Sequence, residues 1–117
     1  MDVRVKRVYD KPDSKDGLRI LVDRLWPRGL SKKDANIDLW LKSVAPSNDL
    51  RKWYKHDPKK WPEFKKRYFD ELASNENTVK ELIGYVKIGR VSFLYSSKEL
   101  KYNNAVALMD YINSVLK

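Results

Sequence analysis

The chain is organised around one stretch, Leu18-Arg-Ile-Leu-Val-Asp-Arg-Leu-Trp-Pro-Arg-Gly-Leu-Ser31. It begins with the apolar run Ile20-Leu-Val22, which is typical of a strand buried on both faces. Charged and aromatic side chains follow at once, up to a Pro-Arg-Gly turn. In an open α/β sheet, ligands bind in the crevice beyond the carboxyl ends of the strands. The stretch therefore predicts a site that contains Asp23, Arg24, Trp26 and Arg28. A structural interpretation also fits, in which Asp23 forms an ion pair with an arginine and Trp26 simply packs.

Two other segments predict strands. Residues 3–9 begin with alternating apolar and basic side chains, and residues 90–95 are rich in β-forming residues. Together with residues 19–24 they give three strands separated by helical patterns, which predicts a small three-layer, Rossmann-like α/β fold. Its sheet is expected to be mostly parallel, with several covering helices. Three strands are few for a doubly wound sheet, so the sheet is open to an additional edge strand that the pattern does not reveal.

Helical patterns fill most of the remaining chain. Ile37, Trp40, Leu41 and Val44 lie at i, i+3, i+4 and i+7, which predicts a helix that ends before Pro46. Ser31 is expected to cap a short helical turn, and Ser47 to cap a second short helix. Later apolar stripes, which start at Phe64, Val79 and Val106, predict three more helices.

The composition indicates one folded domain over residues 1–117. The chain has no cysteine, which excludes disulfides, thiolate metal sites and thiol nucleophiles. It also has no apolar signal core and no run long enough to cross a bilayer, so we expect a soluble cytoplasmic protein without membrane partners. With a single histidine, the sequence predicts no metal site and no cofactor.

The net charge of +9 is concentrated in one segment. Residues 51–67 contain eight basic and two acidic residues and so carry +6 of that charge. Trp53, Tyr54, Trp61, Phe64 and Tyr68 lie within or beside this segment. Such a mixture could hold phosphates and stack bases. It could equally be a solvated lysine face over helices whose aromatic side chains point into the core.

A second group of polar residues follows the last predicted strand. If that strand runs parallel to the strand at residues 19–24, their carboxyl ends meet, and Asp23 and Arg24 approach Ser96, Ser97, Lys98, Asn103 and Asn104. A loop that leads into a helix N-terminus favours a phosphate or carboxylate. Alternatively, Asn103 or Asn104 only caps the helix. His56 is more typical of a turn residue than of a catalyst, and Asp23 is the one carboxylate considered for catalysis.

Four stretches of the chain resemble the DUF488 family, in its short, YeaO-like branch. They are Val5–Asp10, Asp16–Ser31, the segment with Ala45-Pro-Ser47, Leu50–Tyr54 and His56-Asp-Pro58, and Leu94-Tyr95 with Lys98 and Asn103. The resemblance spans nearly the whole chain, and its most specific string is Val-Asp-Arg-Leu-Trp-Pro-Arg-Gly. The name of the family records an unknown function, so the resemblance implies kinship and not an activity.

The resemblance carries a set of motif residues onto this chain: Arg7, Asp10, Asp23, Arg24, Trp26, Arg28, Trp53, His56, Asp57, Lys98 and Asn103. They coincide with the predicted strand-end cluster and the turn at His56, which suggests one shared pocket. This chain has Asn103-Asn104 where the resemblance implies Asn-His. If that histidine takes part in chemistry in other members, this chain lacks it.

Three functions remain open from the sequence. The first is a binding module for a phosphate-bearing ligand, a nucleotide or nucleic acid, with Arg24, Arg28 and Lys98 on the anion and Trp26 or Trp53 stacked on a base. The second is an enzyme for a small phosphorylated or nucleobase-like substrate, with Asp23 or His56 as acid and base. The third is a protein-interaction module that uses exposed aromatic residues. The sequence does not determine the oligomeric state.

Overall fold

A four-stranded parallel sheet lies at the centre of the protein. The computed structural model describes residues 1–117, with strands β1 (Val3–Arg7), β2 (Leu18–Leu21), β3 (Leu39–Trp40) and β4 (Val91–Tyr95). The strand order is β1-β4-β2-β3, and all neighbouring strands are parallel. The predicted α/β class and parallel sheet are therefore confirmed. The edge strand missing from the sequence pattern is β3.

Five α-helices and three short 3₁₀ turns complete the fold. The helices are α1 (Lys32–Ala35), α2 (Asn48–Tyr54), α3 (Trp61–Ala73), α4 (Glu76–Ile88) and α5 (Asn104–Val115). The 3₁₀ turns are Ser14–Asp16, Lys42–Val44 and Pro58–Lys60. None of these helices is both long enough and apolar enough to cross a membrane.

Serine caps begin the first two helices, as the sequence predicts. The Ser31 hydroxyl accepts a hydrogen bond from the Asp34 N–H of α1. The Ser47 hydroxyl does the same for the Leu50 N–H of α2. Each hydroxyl satisfies a backbone donor that has no partner inside its helix.

The two faces of the sheet are covered unequally. Ile20 and Val22 belong to a large core that also contains the buried side chains of α2, α3, α4 and α5. Leu21 points the opposite way, because side chains alternate along a strand. It packs with Val8 and Leu94 in a small cluster. The segment that follows β2 covers this cluster and so forms the thinner outer layer.

The helix predicted from Ile37, Trp40, Leu41 and Val44 is wrong. Residues 39–40 form β3, paired with Ile20 and Leu21, and a 3₁₀ turn follows at Lys42–Val44. The apolar residues serve two cores: Ile37 and Trp40 pack on the small cluster, whereas Leu41 and Val44 belong to the large core. The helical spacing of these four residues therefore arises because the chain passes the edge of the sheet and contributes side chains to both of its faces.

A buried ion pair lies near the start of β2 and involves Asp16 rather than Asp23. The Asp16 carboxylate is 2.6 Å from Arg19 Nη1 and 3.1 Å from Lys6 Nζ. Arg19 also donates to the carbonyls of Asn36 and Ala35, so it joins β2 to the end of α1. Burial raises the pKa of Asp16, but hydrogen bonds from the Asp13 backbone, Lys6 and Arg19 outweigh it and hold that pKa below its ordinary value.

Candidate functional site

A cavity of about 310 Å³ opens at the carboxyl ends of the strands. Its base is formed by residues that directly follow β2 and β4 and by the N-terminus of α5. One side is formed by α2 and α3, through Arg51, Tyr54 and Phe64. The other side is formed by the segments that follow β1 and β2, through Tyr9, Trp26 and Arg28. Nine of the residues predicted at or beside a site line it: Asp23, Arg24, Trp26, Arg28, His56, Ser96, Ser97, Asn103 and Asn104. The parallel pairing of β2 with β4 brings them together, as expected.

Asp23 joins three elements at the base of the cavity. Its Oδ2 accepts hydrogen bonds from the backbone N–H and the hydroxyl of Ser96, at 2.9 and 2.7 Å. Its Oδ1 accepts one from Asn104 Nδ2 at 3.0 Å, and the same amide also donates to the Val22 carbonyl. None of the ion pairs in the protein includes Asp23, so the structural interpretation of Asp23 as an ion-pair partner is wrong.

Arg24 and Trp26 have structural contacts as well as a place in the wall. Arg24 donates from Nε to the Pro46 carbonyl and from Nη2 to the Ala45 carbonyl, both at 3.0 Å, and so fixes the turn before α2. Trp26 donates from Nε1 to the Leu30 carbonyl at 2.7 Å. These bonds fix the orientation of both side chains.

Arg51 is a lining residue that sequence reasoning missed as a site residue, as are Tyr9 and Tyr54. It projects from α2, and its guanidinium makes no hydrogen bond or ion pair within the protein, although its Nε is buried. A buried donor without a partner costs about 1–3 kcal/mol, and more when the group is charged. Its spacing of three from Tyr54 places both residues on one face of α2, but that spacing alone does not separate Arg51 from the other basic residues of its segment. Arg28, on the opposite wall, likewise has no partner for its guanidinium.

His56 lies at the exposed rim of the cavity. Its Nδ1 is 3.3 Å from the Ser97 hydroxyl. Lys55 and His56 both have positive φ angles, 49° and 57°, a left-handed conformation that costs about 1–3 kcal/mol for a residue other than glycine. This turn ends α2 and places the imidazole beside the loop after β4.

The charge of the cavity wall is mostly positive. Arg24, Arg28 and Arg51 oppose a single carboxylate, that of Asp23. Tyr54 contributes a neutral phenol, because burial raises its pKa to about 12, helped by the negative charges of Glu99 and Asp57. The Tyr54 hydroxyl donates to the Tyr102 carbonyl at 2.6 Å. The cavity wall therefore carries a net positive charge.

Four residues predicted for the site do not line the cavity. Arg7 lies beneath the loop after β4 and donates to the carbonyls of Ser97 and Ser96, at 2.9 and 3.4 Å. Asp10 is exposed in the turn after β1, and Lys98 is exposed on the loop after β4. The predicted contact of Lys98 with the bound anion is therefore not supported by its position. From the same loop, Ser96 and Ser97 line the cavity and Lys98 does not.

Trp53 is the fourth residue outside the cavity. The Lys60 ammonium lies 5.1 Å from its ring centroid and the Arg67 guanidinium 4.3 Å. Lys60 also donates to the Trp53 carbonyl. The indole is therefore engaged by cations of its own chain, an arrangement that stabilises the surface of α2 against α3.

Asn103 serves mainly as a helix cap. It is buried, its Oδ1 accepts from the Val106 N–H, and its Nδ2 donates to the Glu99 carbonyl. The interpretation of Asn103 as the N-cap of α5 is confirmed, and Asn104 instead contacts Asp23. Nowhere in the protein do three or more histidine or carboxylate side chains gather as metal ligands would.

A second, more open cleft of about 510 Å³ lies between the 3₁₀ turn at Lys42–Val44 and α3. Its carboxylate Glu71 is already engaged by Ser47, through the backbone N–H at 2.9 Å and the hydroxyl at 2.6 Å. The Tyr68 hydroxyl in its wall donates to the Val44 carbonyl. The cleft has no buried side-chain donor or acceptor without a partner, whereas the smaller cavity at the strand ends has Arg51 Nε, so the smaller cavity is the better candidate site.

Comparison with known proteins gives a family model and one relative that match nearly the full chain, and further relatives that match part of it. The family model described as "Inactive DUF488-N3 subclade" matches residues 2–117. The uncharacterized protein YeaO of Escherichia coli is 41% identical over 115 residues, which cover 98% of this chain and 100% of YeaO. An uncharacterized protein of Mycobacterium tuberculosis is 53% identical over 70 residues, 60% of this chain and 59% of that protein. No solved structure matches this chain significantly.

Proposed function

The chain belongs to the DUF488 family, in its inactive DUF488-N3 subclade, and we propose that it binds a small phosphate-bearing ligand in the cavity at the carboxyl ends of its strands. The observation that carries the proposal is the guanidinium of Arg51. It lines the cavity, has no partner in the protein and has a buried Nε. A hydrogen bond between a charged donor and a phosphate contributes about 1.5–3 kcal/mol, which would offset the cost of this unpaired group.

The surroundings of Arg51 support the same class of ligand. Arg28 offers a second unengaged guanidinium from the opposite wall, and guanidinium groups bind phosphate in a bidentate manner. The N-terminus of the twelve-residue helix α5 contributes Asn103 and Asn104 to the same cavity. The positive end of a helix dipole adds to the attraction for an anion.

Catalysis is the less well supported alternative. Asp23 and His56 line one cavity, but the Asp23 oxygens accept three hydrogen bonds from Ser96 and Asn104, whereas His56 contacts Ser97. Asp23 and His56 therefore do not contact each other, as a catalytic base and the residue that orients it would. Asn104 donates to Asp23 at the position where the resemblance implies histidine. The description of the subclade as inactive also favours binding.

A thermal-shift screen at low salt tests the proposal. The probes are inorganic phosphate, sugar phosphates, nucleoside monophosphates and short oligonucleotides. We expect at least one phosphate-bearing class to raise the Tm, and we expect Arg51→Met and Arg28→Ala each to reduce the apparent affinity about tenfold.

The matched control is Arg4→Ala. Arg4 is exposed on β1, lies outside the cavity and makes no hydrogen bond or ion pair in the protein. Its replacement removes the same charge and should leave binding within about twofold of the native value. An equal loss in Arg4→Ala and Arg51→Met would show that only the net charge matters, and no shift with any probe would contradict the proposal.

A further inference from the structure

The two walls of the cavity offer different chemistry to a ligand. The helical wall carries Arg51, whose guanidinium is unengaged, beside Tyr54. The opposite wall carries two aromatic rings, those of Tyr9 and Trp26, together with Arg28. A phosphate suits the two arginines and a flat apolar group suits the rings.

The aromatic wall is held in place by bonds to its own backbone. The Tyr9 hydroxyl donates to the Arg28 carbonyl at 2.8 Å, and the Arg7 guanidinium lies 5.1 Å from the Tyr9 ring centroid. Tyr9 nevertheless remains 40% exposed as a residue, and it lines the cavity. The Trp26 indole is fixed by its bond to Leu30. A preorganised ring loses little conformational entropy when a base stacks on it.

The size of the cavity restricts what it can hold. Small-molecule sites occupy roughly 300–1,000 Å³, and this cavity of about 310 Å³ is at the lower end of that range. It accommodates one compact ligand, and helices α2 and α3 close one side of it.

The basic surface of residues 51–67, outside the cavity, does not form a groove for a nucleic-acid chain. Three basic side chains of residues 51–67 are engaged within the protein: Lys60 with Trp53, Lys65 with Asp110 and Arg67 with Glu63. The aromatic residues Tyr54, Phe64 and Tyr68 are buried in the large core. Single-stranded nucleic acids bind where unpaired cations and exposed rings alternate along a groove. The two remaining rings are only partly exposed and are already in contact: Trp53 with Lys60 and Arg67, and Trp61 with Tyr54, Phe64 and Tyr102.

From these observations we propose that the ligand is a single nucleotide, a nucleoside monophosphate, with its phosphate between Arg51 and Arg28 and its base against Tyr9 and Trp26. This inference rests on the function proposed above and names the class of ligand for the same cavity. It selects the mononucleotide over both a sugar phosphate and a polynucleotide.

Isothermal titration calorimetry with a graded set of probes tests this proposal. The probes are inorganic phosphate, ribose 5-phosphate, the four ribonucleoside 5′-monophosphates and a 5′-phosphorylated ten-residue oligothymidylate. We expect the best nucleoside monophosphate to bind at least about tenfold more tightly than ribose 5-phosphate, since stacking on an aromatic ring contributes about that much. We expect the oligonucleotide to bind no more tightly than thymidine 5′-monophosphate, which is measured alongside it.

Three variants separate the roles of the walls. Tyr9→Leu should weaken nucleoside monophosphate binding about fivefold or more beyond its effect on ribose 5-phosphate, because only the base loses the ring contact. Tyr9→Phe keeps the ring and removes only the hydroxyl's bond to the Arg28 carbonyl, so it should weaken both ligands to the same extent. Arg51→Met should weaken both ligands. Circular dichroism of each variant shows that it is folded.

The outcomes distinguish this inference from the function on which it rests. Equal affinity for ribose 5-phosphate and the mononucleotides would overturn the nucleotide assignment and leave a phosphate site. Tighter binding of the oligonucleotide, with a steep dependence on salt, would overturn it in favour of a polynucleotide. If no probe binds, both the inference and the proposed function are wrong.

Discussion

The Asp23 carboxylate accepts two hydrogen bonds from Ser96, one from the backbone N–H at 2.9 Å and one from the hydroxyl at 2.7 Å. Strands β2 and β4 are neighbours in the sheet, and these bonds join the chain directly beyond their carboxyl ends. Asn104 adds a third bond from the first residue of α5. The base of the cavity is therefore one hydrogen-bonded unit that holds a carboxylate between neutral donors.

Replacement of Asp23 by alanine tests this unit. The change leaves the Ser96 N–H and the Asn104 amide without their acceptor, so we expect the free energy of unfolding to fall by about 1–3 kcal/mol. Urea denaturation measures the loss. Asp34→Ala is the control, because Asp34 is exposed and its carboxylate has no partner, so its effect should stay within about 0.5 kcal/mol. Equal effects in the two variants would contradict the structural role of Asp23.

The ion pair of Asp16 predicts a loss of stability in acid. Its pKa in the folded protein lies below that of the unfolded chain, which is about 3.9, because Lys6 and Arg19 favour the charged form more than burial disfavours it. The stabilisation is therefore fully present above pH 4 and is lost as the pH falls through the lower, folded pKa. Urea denaturation between pH 7 and pH 2.5 measures this loss.

Asp16→Asn should reduce this acid dependence and lower the stability at pH 7 by about 3–5 kcal/mol, since it leaves Arg19 buried without a counter-charge. The control is Asp2→Asn, because the pair of Asp2 with Arg90 is exposed and contributes at most about 1 kcal/mol. An acid dependence in Asp16→Asn identical to that of the native protein would show that other carboxylates cause it.

Tyr54 predicts a loss of stability in alkali. Burial raises its pKa to about 12, whereas a tyrosine of the unfolded chain titrates near 10. Its contribution is complete below about pH 10 and falls as the pH rises toward 12, because only the unfolded chain releases the proton in that interval. In Tyr54→Phe the stability should fall less steeply over this interval. Tyr68 and Tyr95, whose pKa values burial also raises, account for a remaining slope. An unchanged slope would contradict the assignment.

We expect Arg24 to stabilise the fold through its two hydrogen bonds to backbone carbonyls more than through its positive charge. Arg24→Lys keeps the positive charge but cannot reproduce the paired bonds to the Ala45 and Pro46 carbonyls, so the free energy of unfolding should fall by about 1–3 kcal/mol. Arg28→Lys is the matched control, because the Arg28 guanidinium has no protein partner, and its stability should be unchanged. A stability loss in both variants would indicate a general intolerance of lysine at this wall.

The sequence predicts the centre of this fold better than its edge. Ile20-Leu-Val22 reads directly as a buried strand because both faces of β2 are covered by apolar side chains. Strand β3 has only two residues and is followed by a turn, so no period of two can develop in it. The side chains of residues 37–44 alternate between two separate cores, and a pattern of apolar positions cannot show which core each one joins.

The same contrast holds for the candidate site. Asp23 and Ser96 were predictable neighbours because parallel strands end at one edge of the sheet. Lys98 could contact an anion and Trp53 could stack on a base, but neither lines the cavity. Lys98 is exposed on the loop after β4, and Trp53 lies on α2 under Lys60 and Arg67. Arg51 could not be separated from the other basic residues of its segment, since only the packing of α2 shows that this guanidinium faces the cavity unpaired.

The most direct test of the central claim is to observe the Arg51 Nε–H during a phosphate titration. In a ¹H–¹⁵N correlation spectrum this resonance is assigned by its loss in Arg51→Met, and that of Arg4 by its loss in Arg4→Ala. With ionic strength held constant by chloride, phosphate should shift the Arg51 resonance and the backbone resonances of Ser97 and Asn104 in a saturable manner and leave Arg4 unmoved. Shifts confined to the lysine-rich surface of residues 52–66, or none that saturate, would contradict a phosphate site in this cavity.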